Sequence, residues 1–352
     1  MMGTLEKSTD ARIQMPSVFI ICNPLSDTIV PSEYAQIEEW GITPGSMNLV
    51  DFSLIERIRR EGRVLAVTPG GSGANTARGI AWLAKKTGRQ LSVYFLGAVG
   101  DDGEGVTLTR LLEEGGVVPL LANKKGSKTG TSLVLVTPDH ERTMCTYLGA
   151  CRELRMEDLL EPPIQQADVL YVTSYNWDTP NQREVVHRAA EVARRAGRMI
   201  CLDVSDPFLV KRYREELLYW IPGRVDLLFG NRDELLALTE AIDDQAILVK
   251  ANTLAPTVVM KTGKEGCVIA SQGEIIRVPA TETFVRDTTG AGDAFAAGFL
   301  FALLQGKTLP QCGELANRLA GGIVSVYGCD YSKLEVSNVL TFESDTRHSS
   351  NV

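Results

Sequence analysis

A chain of 352 residues, 44% hydrophobic and 23% charged, has material for one large α/β domain or two ordinary ones. Its 32 glycines and 15 prolines follow no period, which excludes collagen-like and low-complexity architectures. A formal net charge of −8 without any basic run excludes a broad electrostatic grip on a nucleic-acid polymer.

In chain order, residues 1–14 read as a flexible polar tail without the apolar segment of a signal peptide. The uncharged stretches 13–26 and 64–77 are broken by Pro, Gly and Asn, short of the roughly 20 apolar residues a membrane span needs. A buried strand is predicted at 18–22 (VFIIC), then a helix at 75–85 after a glycine cluster. Strand 92–96 and helix 105–114 follow, then strand 169–173 and helix 182–196. Strands at 199–202 and 226–229, a helix at 232–240 and a strand at 257–260 continue the alternation. Such alternation implies a mostly parallel sheet covered on both faces, with ligands at the carboxyl ends of its strands. Segments 27–50 and 120–148 break the rhythm with β-formers and turn residues. Within the second, 131–136 and 142–148 predict a hairpin, either in a separate small sheet or in an antiparallel extension of the main one. Further on, 275–279 and 283–286 look extended, 294–304 (AFAAGFLFALL) reads as a buried helix, and 343–352 is a second flexible tail. Seven scattered cysteines without a C-x-x-C pair, and only three histidines, point to reduced thiols in a cytoplasmic protein without zinc.

The segment 287–293 (DTTGAGD) carries the chemistry. Gly290 and Gly292, lacking Cβ atoms, let the backbone N–H groups of Gly290, Ala291 and Gly292 gather at a helix start, where the dipole favours an anion such as phosphate. Asp293 sits where an anion should bind, so it either caps the helix or accepts a proton from an attacking hydroxyl. No G-x-x-x-x-G-K-[ST] run occurs, and neither Gly290-x-Gly292 nor Gly71-x-Gly73 continues to G-x-G-x-x-G, so the cradle is not a P-loop or a dinucleotide site.

DTTGAGDAF at 287–295, GGSGAN at 70–75 and N-R-D-E at 231–234 together resemble the ribokinase-like (phosphofructokinase-B type) carbohydrate kinase family, over about residues 17–335. N-P-L-S-D at 23–27, L-D-V-S-D-P-F at 202–208 and V-D-L-L-F-G-N at 225–231 are most similar to its adenosine kinases. Asp206, Tyr175-Asn176-Trp177 and Met47-Asn48 depart from the adenosine kinase pattern. The resemblance implies a three-layer α/β/α core (17–26, 51–119 and 149–340) with a mostly parallel sheet, plus a small β lid (27–50 and 120–148). It further implies transfer of the γ-phosphate of ATP, with Mg²⁺, to a ribose-type hydroxyl, foremost the 5′-hydroxyl of adenosine or a similar nucleoside. A free pentose or ketohexose is the alternative acceptor, and a non-catalytic nucleotide- or sugar-binding regulator is the alternative to an enzyme.

Residue by residue, it implies Asp293 as base, Gly290, Ala291 and Gly292 as the anion hole, and Arg142 as a lid arginine on the phosphates. Asn23, Asp27, Gly71, Ser72, Asn75 and Tyr175 would bind the acceptor, Tyr175 and Trp177 either stacking on a base or filling its space. Asn231 and Glu234 would organise Mg²⁺ through water, and Thr262, Gly263, Asn317 and Gly328 would line the nucleotide. Asp287, Thr289 and Ser332 match positions that hold a monovalent cation such as K⁺ in some relatives. Each side chain also has an ordinary structural role open to it: an Asx-turn for Asp27, an N-cap for Asn75, a first-turn charge for Glu234 and an exposed turn residue for Arg142. The family implies either a monomer or a homodimer paired through the lid.

Overall fold

A computed structural model describes residues 15–340 except 46 and 140. The two expected tails therefore lie outside the described residues. Fourteen strands occur among the described residues. They are β1 Ser17–Ile21, β2 Leu25–Pro31, β3 Met47–Leu49, β4 Ala66–Gly70, β5 Ser92–Gly100, β6 Val118–Lys124 and β7 Thr131–Val136. The remainder are β8 Arg142–Tyr147, β9 Val169–Thr173, β10 Met199–Asp203, β11 Leu227–Asn231, β12 Thr257–Lys261, β13 Cys267–Ser271 and β14 Glu274–Val278.

Nine strands form one sheet in the order β14-β13-β12-β11-β10-β9-β1-β5-β6. From β6 to β12 every pair is parallel, and only the pairs β12–β13 and β13–β14 are antiparallel, so β13 alone is reversed. The central strands β1 (SVFII) and β9 (VLYVT) are buried along their whole length, as expected where both faces are covered by helices. Alternation within β1 divides them between two cores: Val18 and Ile20 join one layer, Phe19 and Ile21 the other. The first layer contains helices Ser72–Thr87, Gly103–Glu114, Ala291–Leu304 and Leu309–Val324; the second contains Pro180–Arg195, Pro207–Trp220, Arg232–Thr239 and Asp244–Leu254. Ala291–Leu304 is apolar all round because it lies between helices Ser72–Thr87 and Leu309–Val324 as well as on the sheet.

A second sheet has the order β3-β8-β7-β2-β4. The 131–136 and 142–148 segments do form an antiparallel pair, β7 with β8, and they belong to this separate sheet. Helices Tyr34–Glu39 and Phe52–Glu61 cover one face of it, where Ile37, Trp40, Ile55 and Ile58 pack on Val30, Leu133, Leu135 and Cys145.

Several segments differ from expectation. β4 pairs with β2 in the small sheet although 66–70 was assigned to the core, and Phe52–Glu61 packs there too. β6 includes 120–124 of the expected lid yet pairs with β5 in the main sheet. Residues 283–286 form no strand, so the glycine turn joins an irregular segment, not a strand, to its helix. All seven cysteines are unpaired, and six of them are buried.

Candidate active site

Five parallel strands deliver functional side chains at one edge of the main sheet. Asn23 follows β1, Tyr175 follows β9, Asp203 ends β10, Asn231 ends β11 and Lys261 ends β12. Two helix N-termini, at Ser72 and Ala291, meet at the same edge, so partial positive charge from both converges there.

Asp293 bridges the two helices. Its Oδ1 accepts from Ser72 Oγ at 2.7 Å and its Oδ2 from Asn75 Nδ2 at 2.9 Å. Its helix begins at Ala291 with Gly290 as N-cap, and Asn75 lies inside a helix that begins at Ser72, so neither side chain caps its own helix. Burial pushes the Asp293 carboxyl up, opposed by the Ser72 and Asn75 hydrogen bonds, with the Asp203 charge adding to the rise and Lys261 countering it; the net shift is upward. A carboxylate held in fixed orientation with a raised pKa suits proton acceptance from a hydroxyl.

Gly71 turns the chain into the first helix at φ +87°, and a Cβ there would overlap the Asn23 carbonyl. Asn23 Oδ1 accepts from Gln182 Nε2 at 2.7 Å, and its Nδ2 reaches the Tyr175 carbonyl at 3.5 Å. Asp27 lies in β2, not in an Asx-turn, with its carboxyl pressed against Gly70, where a Cβ would overlap it. Burial, then the nearby Asp293 charge, push that carboxyl up to about 7, with Arg78 and Arg142 pulling the other way. Tyr175 stays beside the site, but Trp177 does not: it is fully buried, edge-on to Trp220 with ring centroids 5.0 Å apart. Trp177 is therefore core and cannot stack on a base. Asp206 caps helix Pro207–Trp220 through the N–H groups of Phe208 and Leu209, and Asn48 pins the edge strand β3 to Thr43 and Met144.

At the other end, Gly290 adopts φ +74° at the helix N-cap, against Cys329. Asn231 and Glu234 form a reciprocal capping box: Glu234 Oε2 accepts from the Asn231 N–H and Oε1 from Asn231 Nδ2, both at 2.7 Å. Glu234 is buried, and desolvation carries its carboxyl up to about 7 against the pull of Lys261. Lys261 Nζ donates to Asp203 Oδ2 at 2.9 Å and lies 4.0 Å from Glu234 Oε2. Lys261 opens the K-T-G element whose Thr262 and Gly263 are expected at the nucleotide, and Asp203 lies in the L-D-V-S-D-P-F segment, but the sequence assigns neither side chain a role of its own. The available signal was a charged residue ending an otherwise apolar strand, as in MICLD and TVVMK.

Arg142 is not an exposed turn residue. Only 16% of its side chain is exposed; it forms an ion pair with the fully buried Asp287 and donates to Thr289 Oγ1 at 2.7 Å. The hairpin is thereby tied to the loop that leads into the anion hole. The Gly328 N–H also donates to Asp287, at 2.5 Å, whereas Ser332 bonds to Asp330 in a separate turn. Arg142 thus occupies Asp287 and Thr289, two of the three expected cation positions, while the third, Ser332, is engaged by Asp330. Asn317 donates to the Val278 and Pro279 carbonyls, and Thr262 N–H bonds to Gly266 with Gly263 at φ +62° between them. On the same face of β2 as Asp27, a 490 Å³ cavity opens between Ile29, Pro31, Leu65, Val136, Arg142 and Tyr327.

A family model described as "pfkB family carbohydrate kinase" matches residues 41–336. The chain belongs to the pfkB family. The solved adenosine kinase of Sinorhizobium meliloti superposes with a TM-score of 0.82 at 35% identity, covering 90% of this chain and 95% of that one. The adenosine kinase of Schizosaccharomyces pombe is 27% identical over 333 residues, 88% of this chain and 95% of its own length. The 5-dehydro-2-deoxygluconokinase of Geobacillus thermodenitrificans is 29% identical over 273 residues, 74% of this chain and 79% of its own. The two-sheet architecture is the ribokinase-like fold expected from the motifs, and the chain is a kinase of the pfkB type. No described helix is long and apolar enough to cross a membrane.

Proposed function

We propose that this pfkB kinase transfers the γ-phosphate of ATP to the 5′-hydroxyl of adenosine or a similar nucleoside. The observation that carries phosphotransfer is Asp293, bonded to Ser72 and Asn75 between two helix N-termini. Its carboxylate takes the hydroxyl proton as the acceptor oxygen meets phosphorus, while the N–H groups at Gly290–Gly292 receive the charge of the transferred group. Asp27, Asn75 and the Gly71 backbone orient the sugar hydroxyls, Asn23 holds the sugar side of the ring, and Tyr175 covers the base. The likeness to adenosine kinases over nearly the whole chain supports the nucleoside as acceptor.

Mg²⁺ fits beside Glu234, whose buried oxygens each accept one hydrogen bond from Asn231 and keep a free lone pair. Asn231 and Glu234 would hold its waters, and the ion would neutralise phosphate charge. Thr262, Gly263, Asn317 and Gly328 would frame the nucleotide, and the small sheet would act as the lid that excludes water. Such an activity would serve purine salvage in the cytoplasm.

A second reading, a kinase for a free pentose or ketohexose, is favoured by one row of the small sheet. Asp27, Ser132 and Thr146 stand in register on β2, β7 and β8, with Ser132 and Thr146 hydroxyls 3.1 Å apart, suited to sugar hydroxyls. An ADP-release assay with Mg-ATP across nucleosides and free sugars separates the readings. Selective turnover of adenosine is expected. Turnover of sugars alone would transfer the assignment to the second reading, and no turnover with any acceptor would overturn both.

A further inference from the structure

Lys261 opens the K-T-G element expected at the nucleotide, and its side chain is a buried cation to which the resemblance assigns no task. Its side chain is 13% exposed and its ammonium sits between Asp203, Glu234 and the start of helix Ala291–Leu304. An ammonium has three N–H donors. The Asp203 oxygens lie 2.9 and 3.2 Å away and engage at most two of them, while Glu234 at 4.0 Å is beyond hydrogen-bond reach. Among the described residues no other acceptor takes the third. A Cβ built on Gly292 would stand 3.4 Å from Nζ, so the ammonium borders the glycine backbone of the anion hole. Asp203 is itself clamped, by the Ser205 N–H at 2.9 Å and the Tyr171 hydroxyl at 3.4 Å, and this fixes where the ammonium stands.

We propose that Lys261 is a catalytic residue whose ammonium donates to a non-bridging oxygen of the phosphoryl group being transferred over Gly292, with Asp203 as its positioning residue. The inference rests on the phosphotransfer reading above and adds the charge that stabilises the moving group. As the bond from the acceptor oxygen to phosphorus forms, the bond from phosphorus to the ADP oxygen breaks. The hydroxyl proton goes to Asp293, ADP leaves with the electron pair, and the negative charge on the non-bridging oxygens is met by Lys261 and the N–H groups of the anion hole. Without Lys261 the carboxylates Asp203, Glu234 and Asp293 would face the phosphates with no lysine between them.

The test compares wild type, Lys261→Met, Lys261→Arg and the double variant Asp203→Asn/Lys261→Met, which removes the ion pair as a unit if the single change fails to fold. Two readouts are taken: kcat with the best acceptor, and the ratio of affinities for the β,γ-imido analogue of ATP and for ADP, both with Mg²⁺. Loss of a contact to the transferred group should lower kcat by about 10²- to 10³-fold in both Met-bearing variants. It should also weaken the imido analogue by about tenfold more than ADP, with Lys261→Arg recovering part of each effect. A folded double variant with wild-type kcat, or an unchanged affinity ratio in it, would overturn the proposal and leave Lys261 a structural ion pair. The ratio needs no acceptor, so it tests Lys261 even if no nucleoside or sugar is turned over. In that event phosphotransfer fails separately.

Discussion

Asp293 and Asp27 are both carboxyls with raised pKa values, and they call for opposite experiments. Asp293→Asn keeps the size of the side chain and its bond from Ser72 but cannot take a proton. We expect kcat to fall by about 10²- to 10⁴-fold with nearly unchanged affinity for the imido analogue of ATP. Wild-type turnover would remove Asp293 as the base. Asp27 offers a pH signature. Its folded value of about 7 against an ordinary 3.8 means that the folded state holds this proton more tightly than the unfolded chain. The stabilisation is complete below about pH 4 and is lost as pH rises through about 7, so Asp27→Asn should flatten the fall in stability between pH 4 and 7. Urea titrations at several pH values measure this; an unchanged slope would refute the shift. At this scale Asp293 and the glycines were legible because they form one contiguous motif. Lys261 was not, because its partner Asp203 lies 58 residues away in sequence and three-dimensional pairing alone brings them together.

Between elements, the contact of Arg142 with Asp287 joins β8 of the small sheet to the loop before the anion hole. Arg142→Ala would leave a fully buried carboxylate with only the Thr289 and Gly328 N–H groups, at a cost of about 3 kcal/mol or more. Adding Asp287→Asn should recover much of that loss in a denaturant titration; no recovery would show that the ion pair is not its source. The main-sheet strands were readable because continuous apolar runs fit only a sheet covered on both faces. Partner choice was not readable. β4 (AVTPG) and the 120–124 part of β6 are short segments whose composition does not name the sheet they join. Pro69 does carry one clue: lacking an N–H, it suits the edge position that β4 occupies. Residues 283–286 have strand-forming side chains but no neighbouring strand to pair with, and propensity yields to that context.

For the whole molecule, a ligand that bridges core and small sheet should stabilise both together. The imido analogue of ATP plus acceptor, each near a hundredfold above its Kd, should add up to about 2.7 kcal/mol per ligand, seen as a higher Tm in calorimetry. A Tm that rises with nucleotide but never with any candidate acceptor would count against an acceptor site between the sheets. The charge of −8 is consistent with such binding because the attraction is local: Arg78, Arg142 and Lys261 surround acidic groups at one edge of the sheet. By itself the amino-acid sequence determined the α/β class, the glycine turn, its aspartate and the family, since each depends on residues close together in the chain or on periodicity along it. Tertiary structure alone decided that Asp293 is held by Ser72 and Asn75, that Trp177 belongs to the core and that Arg142 seals onto Asp287. It also decided that Lys261 borders the anion hole. Each of these rests on a contact between distant segments, and distance along a chain carries no information about which buried charges or rings must meet.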